Sequence, residues 1–295
     1  MIDGRTVPLT NLDKVLWPDV GYTKRQMISY YAEIAPVLLP HIAGRPLTTK
    51  RYPDGVEGTH WYQTECFHPP RWLKTIDLPS LTTPGKTYHY CSVDDVASLI
   101  WLANTAAIEI HPLIFRGTGM STPSYVVFDL DPGPPATVID ACRIALLLKD
   151  VLTGVGLKSF AKTSGGKGIH VYAPLNDDAV TFDATKRFAR EVASVLASAE
   201  PDRVTGSADK SIRSGKVLID WRQNGPTNST VCPYSLRAAS APTVSTPVLW
   251  DEIESAVASS DPHALVFLPQ DVFTRVERHG DVFEPTLTVE QRLPG

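Results

Sequence analysis

The chain is poor in cysteine, with four in 295 residues, at positions 66, 91, 142 and 232. None forms a CxxC or a Cys/His pair at zinc-finger spacing, so a zinc ribbon and a dense disulfide scaffold are excluded and buried free thiols are expected. Long hydrophobic runs are also missing. No stretch approaches the roughly 18 uninterrupted apolar residues of a membrane helix, and residues 1–14 are polar and mixed. No membrane span or secretory signal is expected, and a cytoplasmic protein is. Charge is modest at 20% and apolar content ordinary at 43%, without collagen-like, disordered or repeat character. A strong net charge is lacking too. The formal −4 does not advertise a nucleic-acid partner, but it hides an uneven distribution. From residue 241 onward three Lys+Arg face nine Asp+Glu, whereas residues 203–240 carry six basic residues against two acidic ones. A local anion site is compatible with the global sign.

What the chain does have is an apolar run ending in two carboxylates, Tyr125-Val126-Val127-Phe128-Asp129-Leu130-Asp131-Pro132-Gly133. In an extended strand side chains alternate faces, so Asp129 and Asp131 point one way and Leu130 points into the core. Two like charges forced together are costly unless a cation lies between them, and Mg²⁺ or Mn²⁺ prefers such oxygen ligands. A second apolar run, Val217-Leu218-Ile219-Asp220, ends the same way. Asp129, Asp131 and Asp220 could therefore hold two metal ions for nucleotidyl transfer. Strand-end acids that merely cap a following helix are the plainer alternative.

Coarse periodicity predicts a helix from Thr23-Lys24 to about Leu39, closed by Pro40, and a second from about Val93 to Ala107. An extended piece from Ile108 to Phe115 precedes the Asp-bearing strand. A helix from about Thr137 to Thr153, a strand near 158–162, a strand from Ile169 to Ala173 and a helix from about Asp183 to Ala199 follow. Two short helices end the chain. This strand–helix–strand wiring predicts an α/β or α+β enzyme with a mixed sheet.

Between two of these strands, Thr163-Ser164-Gly165-Gly166-Lys167-Gly168-Ile169-His170 offers backbone amides, a hydroxyl, a cation and an imidazole to a phosphate. It is not a Walker A loop, because Ala161 replaces the first glycine and Gly168 the metal-binding Ser or Thr. A tight glycine hairpin would look the same. Arg213, Arg222 and Arg237, with Gln223, could clamp a triphosphate or fix a ribose. Glu109 and His111 alternate on one strand and face one way. Asn11, Lys14 and Lys24 with Arg25 make a small basic group, and His60-Trp61-Tyr62 offers aromatic faces for bases. An exposed helix start and a core cluster explain the last two equally simply.

In this order, Asn-Leu-Asp-Lys-Val-Leu-Trp-Pro (11–18), Gly-Arg-Pro-Leu (44–47), Val-Phe-Asp-Leu-Asp-Pro-Gly (127–133), Thr-Ser-Gly-Gly-Lys-Gly-Ile-His (163–170), Asp-Trp-Arg-Gln-Asn (220–224) and Pro-Tyr-Ser-Leu-Arg (233–237) closely resemble the polymerase domain of bacterial DNA ligase D. That family belongs to the archaeo-eukaryotic primase superfamily. The resemblance implies an α/β (α+β) primase-like core with mixed or antiparallel sheets flanked by helices. It implies one domain over 1–295 with two packed lobes, a 5′-phosphate-binding N-terminal part and a catalytic core at about 108–240.

The implied activity is template-directed addition of nucleotides, preferentially ribonucleotides, to a 3′-hydroxyl with two Mn²⁺ or Mg²⁺ ions, filling short gaps in DNA repair. Asp129, Asp131 and Asp220 match the family's metal carboxylates. Ser164, Lys167 and His170 match its triphosphate motif, and Lys50, His111, Arg213, Gln223 and Arg237 stand where the incoming nucleotide is contacted. Asn11, Lys14 and Lys24 match the pocket for the 5′-phosphate across a gap or break. Where the family has Phe-Phe followed by Gln or Glu and then Lys, this chain has Trp61-Tyr62-Gln63-Thr64. Template stacking by Trp61 and Tyr62 is kept and a nearby Lys is lost. The connection from His111 to Asp129 is shorter than in end-bridging forms, which counts against end bridging.

The implied partners are gapped or broken DNA with a 5′-phosphate, ribo- or deoxyribonucleoside triphosphates, a separate ATP-dependent ligase and Ku, with no membrane. The resemblance also implies a cytoplasmic, nucleoid-associated location. No ligase or nuclease segment accompanies the motifs, so a stand-alone member is expected. The alternatives are an end-joining polymerase acting with Ku and a ligase, a DxD metal phosphohydrolase, and a noncatalytic DNA-end binder. In the phosphohydrolase Asp129 would be a nucleophile and Asp131 a general acid, leaving Asp220 and His170 without roles.

Overall fold

The structure, a computed structural model, describes residues 1–294. Its contacts group the chain into two units: residues 1–118 with 229–244 and 268–280, and residues 119–228 with 245–267 and the segment from 281 on. Both are interleaved in sequence, unlike a division into an N-terminal part and a contiguous core at 108–240.

The first unit begins with a small ribbon, β1 (Val15–Trp17) and β2 (Tyr22–Thr23), that leads into α1 (Lys24–Ile42). Thr23 starts that helix as one half of a capping box: its hydroxyl accepts from Gln26 N at 3.3 Å while the Gln26 side chain accepts from Thr23 N at 2.8 Å. Contrary to the sequence expectation, Pro40 does not end α1, which carries both Pro36 and Pro40 inside it and runs to Ile42. Each internal proline removes a backbone hydrogen bond. The buried stripe of Met27, Tyr30, Tyr31, Ile34, Leu38 and Ile42 holds the helix together regardless.

There follow β3 (Leu47–Arg51), β4 (Trp61–Gln63), β5 (Lys74–Pro79), β6 (Thr87–Ser92), α2 (Val96–Asn104) and β7 (Ala107–Pro112). The sheet has the order β4-β3-β6-β5, and β7 also pairs with β3. The second helix is shorter than the expected 93–107. The Asp95 carboxylate caps it by accepting from Ser98 N at 2.8 Å, and a left-handed Ala106, φ 61°, turns the chain out of it into β7. Cys66 and Cys91 are joined in a disulfide, which corrects the expectation of four free thiols; Cys142 and Cys232 lie outside it and are buried. Cys66 N donates to His89 O at 2.7 Å, so the segment after β4 runs beside β6 and brings two residues 25 apart to a Cα separation of 4.9 Å. Burial pushes the Cys142 thiol up to about 12, leaving it unreactive.

The second unit contains β8 (Tyr125–Pro132), α3 (Val138–Gly154), β9 (Phe160–Thr163), β10 (Ile169–Pro174), α4 (Phe182–Ala199), β11 (Val204–Thr205), β12 (Val217–Asp220), β13 (Pro247–Val248) and α5 (Trp250–Ser259). The last helix, α6 (Pro269–His279), belongs to the first unit. The sheet order is β11-β12-β8-β10-β9-β13. Strand β10 inserts between β8 and β9 and is antiparallel to both, so the β8–α3–β9 crossover spans one strand. Among the described residues of this sheet, β11 and β12 alone pair in parallel. The sheet is mixed, as expected.

Val126, Phe128 and Leu130 of β8, Ile169 and Val171 of β10 and Ile219 of β12 are fully buried and form one core with Ala141, Ile144 and Leu148 of α3 and Ala189 and Ala193 of α4. That leaves the alternate residues on the opposite face. Among the described residues no helix is long and apolar enough to cross a membrane.

Candidate functional site

Strand register sets up the polar face of the second unit. Asp220 on β12 lies opposite Asp129 on β8, Asp129 opposite His170 on β10, and His170 opposite Lys162 on β9. Directly paired residues share a face, so these four side chains form a row across four strands, and Asp131 joins them two residues along β8. His170 Nε2 lies 3.3 Å from Asp129 Oδ1, and its Nδ1 lies 3.1 Å from Lys162 Nζ. The Lys162 ammonium is fully buried and also donates to Ser245 Oγ at 2.6 Å; the Ser245 hydroxyl donates on to Thr163 O at 2.8 Å. An ammonium donor at Nδ1 places the ring proton on Nε2, facing Asp129. Sequence reasoning passed over Lys162. A lysine inside a short strand was the signal, but its importance lies in a pairing that only the register reveals.

Asp131 is engaged by Arg213 Nη2. The approach depends on Gly133, where a Cβ would come within 2.2 Å of Arg213 O, and on Gly133 N donating to Lys216 O at 2.8 Å. Arg213 Nε is buried without a hydrogen-bond partner. Beside it opens a cleft of about 340 Å³ lined by Asp131, Gly133, Lys167, Lys210, Arg213 and Ser214 among others. Three cations around a cleft, one with an unused buried donor, make a place for a polyanion. Lys210 was not singled out from sequence.

Asp220 begins the turn Trp221–Gln223 and accepts from Arg222 N at 3.1 Å. The Arg222 guanidinium lies 3.4 Å from the same carboxylate oxygen, donates to Gly206 O at 3.3 Å and stacks 4.5 Å over Trp221. Gln223 is half-buried at the end of this turn. Asn224 then continues the sheet by side chain: its Oδ1 accepts from Val127 N at 2.8 Å and its Nδ2 donates to Val127 O at 2.7 Å. It therefore occupies the place of a strand residue beyond the end of β12.

The repulsion between the carboxylates is met in this structure by basic side chains. Each acid has its own basic partner: His170 for Asp129, Arg213 for Asp131 and Arg222 for Asp220. Among the described residues no three His, Cys, Asp or Glu side chains are drawn into one metal cage. The donor set nonetheless suits hard divalent ions, being three partly exposed carboxylates on one sheet face.

The loop after β9 differs from a simple phosphate cradle. Ser164 Oγ accepts from Gly166 N at 3.2 Å and Gly168 N at 3.0 Å, and Ser164 N donates to Gly168 O at 2.9 Å, so three of the loop's amides are used internally. Gly168 is required because a Cβ there would meet Leu130 O at 2.4 Å. The closed loop presents the exposed Lys167 at the cleft.

Lys50, His111 and Arg237 fall in the first unit; register groups the first two, and Arg237 joins them through Glu109, whose Oε1 lies 3.6 Å from its Nε. Lys50 pairs with Tyr62 and Glu109, and Thr48 with His111, so these side chains share a face. Tyr62 lies edge-on to His111 at 5.6 Å and under Lys50 Nζ at 5.5 Å. Trp61, one residue earlier, faces the other way and stacks with Arg51 at 5.4 Å. The structure therefore does not join Trp61 and Tyr62 into one platform, because neighbours on a strand alternate.

At the amino terminus, Asn11, Lys14 and Lys24 do come together. A left-handed Asn11, φ 52°, lets Lys14 N donate to Asn11 O at 3.1 Å, and Lys24 N donates to Lys14 O at 2.8 Å. Lys14 pairs with Asp54 at 2.8 Å, while the nearly buried Lys24 amine donates to Thr10 O at 2.7 Å. Burial, then the charges of Lys14 and Arg51, lower the Lys24 pKa. A like-charge pair held this close suits an anion.

These features meet in one family: the chain belongs to the LigD primase-polymerase domain family, which it matches over residues 23–283. It is 39% identical over 289 residues to the multifunctional non-homologous end joining DNA repair protein LigD of Mycobacterium tuberculosis, covering 94% of this chain and 36% of that protein. It is 29% identical over 275 residues to the bifunctional non-homologous end joining protein LigD of Bacillus subtilis, covering 93% of this chain and 43% of that one. The chain thus spans well under half of the LigD proteins it matches. The polymerase domain of M. tuberculosis ligase D in complex with DNA superimposes with a TM-score of 0.87 at 36% identity, covering 97% of this chain and 99% of that chain. The mixed-sheet α+β fold is the one that the sequence implied.

Proposed function

We propose that the chain is a template-directed nucleotidyltransferase that adds nucleotides, preferentially ribonucleotides, to a 3′-hydroxyl at a gap or break in DNA. The observation that carries this is the Asp220–Asp129–His170 row with Asp131 beside a cationic cleft, within a chain of this family. Asp129, Asp131 and Asp220 would hold two divalent ions, Mn²⁺ or Mg²⁺. Such ions, when bound, acidify the primer 3′-hydroxyl and neutralise the phosphates.

The remaining tasks belong to the protein's own groups. Lys167, Ser164, His170 and Arg213 bind the triphosphate; Arg213 can leave Asp131 for phosphate oxygens, where its unused Nε becomes a second donor. Lys50, His111, Gln223 and Arg237 contact the incoming nucleotide, and Tyr62 stacks on the template. Asn11, Lys14 and Lys24 hold the 5′-phosphate on the far side of the gap. The relatives are named for non-homologous end joining, which favours work at broken ends with Ku and a ligase in the cytoplasm over excision-repair filling. The DxD phosphohydrolase loses its support, because it leaves Asp220 and the cationic cleft unused.

The test is extension of a labelled primer across a short gap with a 5′-phosphate, in Mn²⁺, with ribo- and deoxyribonucleotides and Asp129→Ala as control. Templated addition that disappears in Asp129→Ala is expected. No addition under any metal or nucleotide would overturn the proposal.

A further inference from the structure

Glu109 is the most buried acid in either polar cluster, with its side chain 3% exposed, and no role in nucleotide addition has been given to it so far. Tyr52 hydrogen-bonds to its carboxylate, and three further donors converge on it. His111 Nε2 lies 3.0 Å from Oε2, Ala238 N donates to Oε1 at 3.2 Å, and Arg237 Nε lies 3.6 Å from the same oxygen. Two of these donors are side chains proposed to contact the incoming nucleotide, and the third is the backbone next to one of them. They come from different stretches of chain, β7 and the segment 229–244 of the first unit, so this carboxylate is the point at which the two stretches are tied together.

We infer that Glu109 is a positioning residue for nucleotide binding, fixing the ring of His111 and the guanidinium of Arg237 without touching the ligand; this rests on the polymerase function proposed above. Burial pushes the Glu109 carboxyl up, but the His111 hydrogen bond and then the Arg237 charge outweigh it and pull it down to about 2. Glu109 is therefore an acceptor only, at any working pH, and the His111 proton facing it must sit on Nε2. A carboxylate that dictates a histidine's tautomer from behind is a recurrent way of preparing the ring for a ligand on its other side. Arg237 is held by the same carboxylate and is more exposed, at 28%, so its remaining donors can reach outward.

The experiment has two parts. Nitrogen-15 spectra of the ring nitrogens in the unaltered protein, with His111→Gln identifying the signal, are expected to show a single Nε2–H tautomer. A Nδ1–H tautomer would overturn the inference whether or not any variant folds. Binding of ATP with Mn²⁺ is then measured for Glu109→Gln alone and in a His111→Ala/Arg237→Ala background, with thermal unfolding confirming a folded protein. Glu109→Gln alone should weaken binding about tenfold and raise KM with little change in kcat, and the same change should have almost no effect in the double-variant background. Equal losses in both backgrounds, or no loss in either, would contradict it. Failure of the unaltered protein to bind ATP or extend a primer would instead overturn the polymerase function, leaving the tautomer result to stand alone.

Discussion

Two clusters of acid and base in this molecule use the same ingredients in opposite ways. On the polar face of the second unit's sheet, the carboxylates of Asp129, Asp131 and Asp220 are 24–49% exposed, and each faces a basic side chain. In the first unit, the carboxylate of Glu109 is 3% exposed and is met by Tyr52, His111, Arg237 and the Ala238 backbone amide. A partly exposed acid can exchange a basic partner for a cation at little cost. A buried acid with every lone pair engaged cannot, since removing a partner strands a charge. The first arrangement suits chemistry and the second suits support.

The contrast can be broken from either side. The largest effect is expected from Asp220→Ala, which should lower primer extension by roughly a thousandfold or more, because metal-borne stabilisation is worth several kcal/mol. Calorimetry should find its unfolding nearly unchanged; a large loss of stability would move Asp220 into the supporting class. Next is Asn224→Ala, which takes both hydrogen bonds from the buried Val127 backbone. Urea titration should show a loss of about 3 kcal/mol, and a loss below about 0.5 kcal/mol would mean that water or a shifted β12 replaces the side chain.

The supporting role of Glu109 also predicts a pH dependence. Its carboxyl is pulled from an ordinary 4.5 to about 2 in the folded protein, so its contribution to stability is fully present above pH 4.5 and is lost as pH falls toward 2. That contribution is on the order of 3 kcal/mol. Glu109→Gln should flatten the acid limb of the stability curve between those values, and an unchanged limb would refute the assignment. The smallest effect is expected from Lys14→Ala: about a tenfold weaker affinity for gapped DNA bearing a 5′-phosphate, against little change for the unphosphorylated form, by fluorescence anisotropy. Equal losses on both would remove the phosphate pocket.

The strand-end acids, the glycine loop and the capped start of α1 were legible in the sequence because each depends on a local period or a local backbone requirement. The partners of those residues were not. Lys162 meets His170 across a hairpin only eight residues wide, where the facing residues depend on the exact turn register, and Asn224 reaches Val127 from 97 residues away, where local patterning carries no information. The same applies to Cys66 and Cys91, whose 25-residue separation conceals a close approach. Pro40 was misjudged as a helix end because a local penalty was weighed without the buried face that offsets it. Trp61 and Tyr62 look like a pair in sequence and are divided by strand alternation in the structure.

The central claim, that the exposed acids of the second unit exchange their basic partners for divalent ions, is tested most directly by titrating Mn²⁺ into the protein and following free Mn²⁺ by electron paramagnetic resonance, with and without ATP. Binding strengthened by ATP, lost in Asp129→Asn and Asp220→Asn and retained in Glu109→Gln, is the result predicted. Binding that survives both aspartate substitutions, or disappears with Glu109→Gln, would contradict it.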